Sequence, residues 1–157
     1  MASEFVVAKA RDLPDGSRMI VDAGGRSIGV FNVRGRFYAL LNRCPHQGAE
    51  LCRGEVFGLV ESDRPGDVRL NPAAPYISCP WHGWEYDLAT GESWFNPDRT
   101  RVRAYPVRVD SGAVVADALA SGEARAGRTR GPYVAEVIPI RVEDDYVVVS
   151  LPARSRS

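Results

Sequence analysis

Histidine is scarce in this sequence: two residues in 157, with only three cysteines beside them. So few cysteines exclude the disulfide scaffolds of small secreted domains. Neither sign of charge is in excess, since 20 Lys and Arg balance 20 Asp and Glu. That balance makes no electrostatic case for nucleic acid or for a membrane surface. Met1–Ile20 has no apolar run long enough for a signal peptide or an anchor. No stretch before residue 44 shows a 3.6-residue apolar period, so no helix is expected there. What remains is an ordinary soluble composition, 45% apolar and 25% charged, long enough for one domain with a real core.

The scarce residues are gathered in two boxes. Cys44-Pro45-His46-Gln47-Gly48 and Cys79-Pro80-Trp81-His82-Gly83-Trp84 hold both histidines and two of the three cysteines. Thiolate with imidazole is a soft-plus-borderline donor set, suited to iron–sulfur or zinc rather than magnesium or calcium. Zinc fingers keep their cysteines together and their histidines together, about 12–15 residues apart. Here each box mixes the two types, and residues 47–78 lie between the histidine of the first box and the cysteine of the second. Pro45 and Pro80 stiffen the loops, while Gly48 and Gly83 permit close backbone approach and positive φ.

The C-x-H and C-x-x-H spacings, each followed by Gly, closely resemble the Rieske family. The resemblance covers residues 4–110 well and the C-terminal part more loosely. It implies a [2Fe–2S] cluster with Cys44 and Cys79 on the inner iron and His46 and His82 on the outer, solvent-facing iron. Two ferric ions, two sulfides and two thiolates sum to zero, so an electron enters a less negative centre than with four thiolates. High-potential relatives brace their loops with a disulfide, at the places of Ala49 and Trp81 here. They also carry a serine where Trp84 stands; of their donors to sulfur only the tyrosine, Tyr86, is kept. The resemblance therefore implies the low-potential, ferredoxin-like or oxygenase-type branch.

The rest of the chain reads as strands. Glu4–Lys9, Arg18–Asp22, Arg26–Val33 and Phe37–Leu41 are rich in Val, Ile, Phe and Tyr and are separated by turn signals. Arg34-Gly35 joins the last two as a tight hairpin. Turn clusters on either side of Val68–Leu70 suggest an inserted hairpin or loop within 61–78. Trp81, Trp84, Trp94 and Phe95 crowd the second box and read as packing. Ala104–Val109 is echoed by Val137–Val142, each followed by a turn and then valines, which suggests strands closing a sheet edge. Between them, Ala116–Arg130 reads as a loop or one helical turn, basic at its end, inside an extra segment of about 112–132. Cys52 reads either as a buried small hydrophobe or as a redox-active thiol beside the first box.

The expected fold is all-β: an antiparallel sandwich or open-barrel base, in one domain spanning 1–157, with an inserted cluster-binding lobe at about 43–91. With two cysteines committed to iron, Cys52 has no partner for an intramolecular disulfide, so a reducing cytoplasmic setting is expected. The expected role is one-electron carriage, as a soluble ferredoxin-like component between a reductase and a terminal oxygenase or similar enzyme. A complete oxygenase needs a further iron held by two histidines and a carboxylate. Both histidines are already spent, and no chain is left for a catalytic domain, so no enzyme is expected. The alternative is a non-catalytic accessory subunit or redox sensor within a larger assembly.

Overall fold

The computed structural model describes residues 3–45, 48–64, 67–80, 83–93, 101–126, 128–130, 135–137 and 140–152. The chain falls into two units, one of residues 1–39 and 105–157 and the other of residues 40–104.

In the first unit, β1 (Ser3–Lys9), β2 (Arg18–Ala23), β3 (Arg26–Val33) and β4 (Arg36–Leu41) follow the sequence expectation to within a residue at each end. Arg34 and Gly35 take φ of +54° and +83°, the backbone of the expected two-residue hairpin between β3 and β4.

The second unit contains β5 (Glu55–Arg64), β6 (Asp67–Ser78) and β7 (Glu85–Asp87), which form a three-stranded antiparallel sheet in that order. The inserted segment is thus the outer part of a long hairpin. Its register jumps where Gly58 pairs with Pro75 but Leu59 pairs with Asn71. Prolines cannot donate to a ladder, and Pro72 and Pro75 fall at that irregularity. A short strand, β8 (Ala104–Tyr105), follows, and the chain re-enters the first unit.

There it forms β9 (Val107–Ser111), helix α1 (Gly112–Ser121), β10 (Ala124–Ala126), β11 (Arg128–Arg130), β12 (Ala135–Val137) and β13 (Asp145–Leu151). One sheet has the order β10-β1-β13-β9 and the other the order β12-β11-β2-β3-β4-β8. β1 pairs parallel with β10, whereas β1 with β13, β13 with β9, β11 with β12 and with β2, and β2 with β3 are antiparallel.

Helix α1 corrects the sequence expectation. Val114 and Val115 were expected in a strand after a turn at Asp110-Ser111-Gly112; they lie in the first turns of a ten-residue helix. Ser111 caps it, its hydroxyl oxygen accepting from the Val114 N–H at 3.4 Å, and Gly122 ends it in the left-handed region. Val115 and Leu119, four apart on one face, pack on Val6, Tyr146 and Val148. This cover explains why Phe5-Val6-Val7-Ala8 and Tyr146-Val147-Val148-Val149 are buried without alternation. A strand covered on both faces needs apolar residues on both. Further along the supposed loop, Ala124–Ala126 and Arg128–Arg130 are strand, β10 and β11.

Candidate metal centre

The two boxes lie in the second unit, which begins at Leu40, within the end of β4. The first follows β4, whose end is tied by the Leu41 N–H donating to the Arg103 carbonyl at 2.9 Å. The second sits between β6 and β7.

Their backbones close by the same two hydrogen bonds. In the first box the Gly48 N–H donates to the Cys44 carbonyl at 2.7 Å, and the Cys44 N–H donates to the Ala49 carbonyl at 2.8 Å. In the second the Gly83 N–H donates to the Cys79 carbonyl at 2.9 Å, and the Cys79 N–H donates to the Trp84 carbonyl at 2.7 Å. Each loop thus runs Cys to Gly at i+4 and back at i+5. Gly48 and Gly83 hold φ of +75° and +71°, a region costly for residues with a Cβ. The shared offset, four residues from Cys to Gly, is visible in the sequence; its meaning emerges only from the bonds.

Cys44 and Cys79 are both buried, 2% and 3% exposed, and neither they nor Cys52 is in a disulfide. The Tyr86 hydroxyl, on β7, lies 3.3 Å from the Cys44 sulfur. Burial, first, and then the hydrogen bond and charge at Cys44 and the charge at Cys79 push the Tyr86 phenol well above its ordinary range. One fully buried hydroxyl is therefore under the influence of both thiols. The sequence had singled out Tyr86 only by resemblance, and the structure gives it a contact. Trp84 contributes its carbonyl to the second loop. His46 and His82, with Trp81, Trp94 and Phe95, lie outside the described residues.

Cys52 sits apart from this chemistry. It lies in a single 3-10 turn, Leu51–Arg53, and is fully buried. Its thiol donates to the Leu40 carbonyl at 3.6 Å, and its N–H donates to the Asn42 side-chain oxygen at 2.9 Å. These are the surroundings of a packed structural residue.

The donor set fits an iron–sulfur centre. Two buried thiols without a disulfide are presented on matched loops, each loop carrying a histidine within three residues of its cysteine. Arg43, beside Cys44, is exposed, its guanidinium lying over Gly48, and further along the chain Arg53 pairs with Glu50 at 2.9 Å.

Comparison with known proteins agrees with this chemistry. Residues 3–106 match the Rieske [2Fe-2S] domain model. The 3-phenylpropionate/cinnamic acid dioxygenase ferredoxin subunit of Escherichia coli (strain K12) is 30% identical over 106 residues, 68% of this chain and 85% of that protein. Among solved structures, the ferredoxin of carbazole 1,9a-dioxygenase from Nocardioides aromaticivorans IC177 is 28% identical with a TM-score of 0.50. That match covers 69% of this chain and 90% of the other. A candidate small subunit of an NADH-dependent nitrite reductase from Mycobacterium tuberculosis matches in fold over 98% of this chain and 99% of its own. Its TM-score is 0.60 at 19% identity. The chain belongs to the Rieske [2Fe-2S] domain family, and its cofactor is a [2Fe–2S] cluster.

Proposed function

We propose that this chain is a one-electron carrier in which Cys44 and Cys79 hold one iron of the cluster and His46 and His82 hold the other. The observation that carries the ligand assignment is the identical hydrogen-bonded closure of the two loops, which presents the two buried thiols in equivalent settings. The histidines complete it as the sequence's only two, one in each loop. When bound, the cluster supplies a site that accepts and releases one electron. The chain's own residues keep water from the thiols, orient them and place a hydroxyl against Cys44.

Electrons come from a reductase and go to a terminal oxygenase or similar redox enzyme, as the ferredoxin roles of the relatives suggest. The chain is not itself an oxygenase, because a mononuclear iron site would need two further histidines. The cytoplasm suits a protein whose thiols are committed to iron. Among the described residues no helix is long and apolar enough to cross a membrane.

The test begins with anaerobic purification and assay of iron and labile sulfide, expecting two of each per chain for one cluster. His46→Ala and His82→Ala should each lose or cripple the cluster spectrum. One zinc per chain without sulfide overturns the assignment. Arg43→Glu should then slow electron delivery to the partner enzyme, and the slowing should shrink as salt is added. A cluster-loaded chain that exchanges no electrons with either a reductase or an oxygenase contradicts the carrier role.

A further inference from the structure

Strand β9 is the outer strand of its sheet, and among the described residues no strand lies beyond it. Its inward bonds are fixed by two anchors: the Ser150 N–H donates to the Pro106 carbonyl at 3.0 Å, and the Gly112 N–H donates to the Asp144 carbonyl at 2.7 Å. Between them, Arg108 faces Val148 and Asp110 faces Tyr146. Antiparallel ladders alternate, so residues 106, 108, 110 and 112 turn their backbone groups toward β13. Those of Val107 and Val109 turn outward, with the Ser111 N–H; the Ser111 carbonyl, at the helix N-cap, belongs to α1. At the centre of that open edge, Val109 is 44% exposed, an unusual state for a large apolar strand residue here.

We infer that β9 is a self-complementary edge through which two copies of this chain pair antiparallel, with Val109 on the two-fold axis. In that register Val109 faces Val109 of the second copy, and Val107 faces Ser111, so both groups of Val109, the Val107 carbonyl and the Ser111 N–H meet partners. Arg108 then faces Asp110 of the second copy, twice by symmetry. These are the non-hydrogen-bonded positions, where opposed side chains approach most closely. Two neighbouring registers also satisfy the outward groups, but one sets Arg108 against Arg108 and the other Asp110 against Asp110. Like charges directly opposed are destabilising, so charge selects the register centred on Val109.

Arg108 has the capacity for this contact. It donates to Asp110 of its own chain through Nε at 2.9 Å and to the two Glu4 oxygens through Nη1 and Nη2. Those bonds use three of the five N–H donors of a guanidinium; because Glu4 lies across β13, the side chain meets the second copy by swinging outward from it. Pairing joins two four-stranded sheets into one continuous sheet and closes an edge that no strand among the described residues covers.

Sedimentation velocity on the full chain, from about 1 μM to about 500 μM, spans the affinities expected of so small an interface. The expected result is a shift from the 17.2 kDa monomer toward twice that mass. Val109→Pro removes an outward N–H only, at an edge position where proline is tolerated. It should raise the dimer dissociation constant about tenfold or more while leaving the unfolding transition of the monomer in place.

Arg108→Asp and Asp110→Arg should each be monomeric alone, because each opposes like charges. Mixed in equal amounts, the two variants should recover the dimer, since each then meets its complement. A wild-type chain that stays monomeric throughout overturns the inference. So does a dimer indifferent to Val109→Pro. A mixture that fails to recover the dimer overturns the register.

Discussion

Tyr86→Phe isolates one hydroxyl. The ring and its packing are kept, and only the oxygen 3.3 Å from the Cys44 sulfur is lost. Tyr86 is fully buried, so no water takes the hydroxyl's place. A ligating thiolate can only accept, so in the loaded protein Tyr86 is the donor. An added electron increases the negative charge at that sulfur and strengthens the bond, so the hydroxyl favours the reduced form. If the gain on reduction is about 1 kcal/mol, the typical net worth of a hydrogen bond, a one-electron couple shifts by about 40 mV. The expected midpoint of the wild type is about −150 mV, the low end for Rieske centres and well above the about −400 mV of four-cysteine ferredoxins. The Phe variant should fall about 40 mV below it. Film voltammetry at neutral pH on both proteins, each with its visible spectrum recorded first, measures the difference. An upward shift, or one under about 10 mV, refutes the role given to the hydroxyl. A wild-type midpoint above about +100 mV refutes the low-potential assignment itself.

Cys52→Ser should leave iron content and spectrum unchanged, since serine can still donate to the Leu40 carbonyl; iron loss on metal analysis would make Cys52 a ligand. Gly54→Ala should destabilise the chain by about 2 kcal/mol in urea unfolding, by overpacking. A Cβ built there meets the Ser78 carbonyl oxygen at 1.8 Å, and an unchanged midpoint would refute that contact. The hydrogen bond from Arg108, aided by its charge and opposed by burial, holds the Glu4 carboxyl below its usual range. A depressed carboxylate stabilises the fold above its unfolded pKa, and that contribution is lost as pH falls through the folded one. Glu4→Gln should therefore be less stable than wild type at neutral pH, by under about 1 kcal/mol for a partly exposed pair. The gap should close below about pH 4, and a gap that widens in acid contradicts the pairing.

The strands before residue 44 were legible because each is a short β-branched or aromatic run bounded by glycine turns. The ligand boxes were legible because rare residue types were concentrated in them. Helix α1 was not. Its sequence, Gly112-Ala-Val-Val-Ala-Asp-Ala-Leu-Ala-Ser121, offers only Val115 and Leu119 to the sheet, and paired valines suit a strand equally well. The signal for it lay elsewhere, in the unbroken apolar runs of β1 and β13. Such runs demand cover on both faces, and something after β9 had to provide it. The hairpin within 61–78 was legible as an insertion, but its length was not. Its prolines mark turns in the sequence, whereas in the fold they sit beside a register jump inside a continuing strand.

The two neighbours of β1 have a consequence for anyone transplanting this protein. β1 lies between β13 and β10, both formed by residues after 106, where the family match ends. Cutting the chain at that boundary would leave its first strand without either flank, so the matched portion is not a portable cassette. Rewiring suits it better than trimming. Ser3 pairs with Leu151, so the ends of the two strands are side by side and a short linker can join them. New termini opened at the Arg34-Gly35 hairpin would then cut no strand and leave both partners of β1 in place.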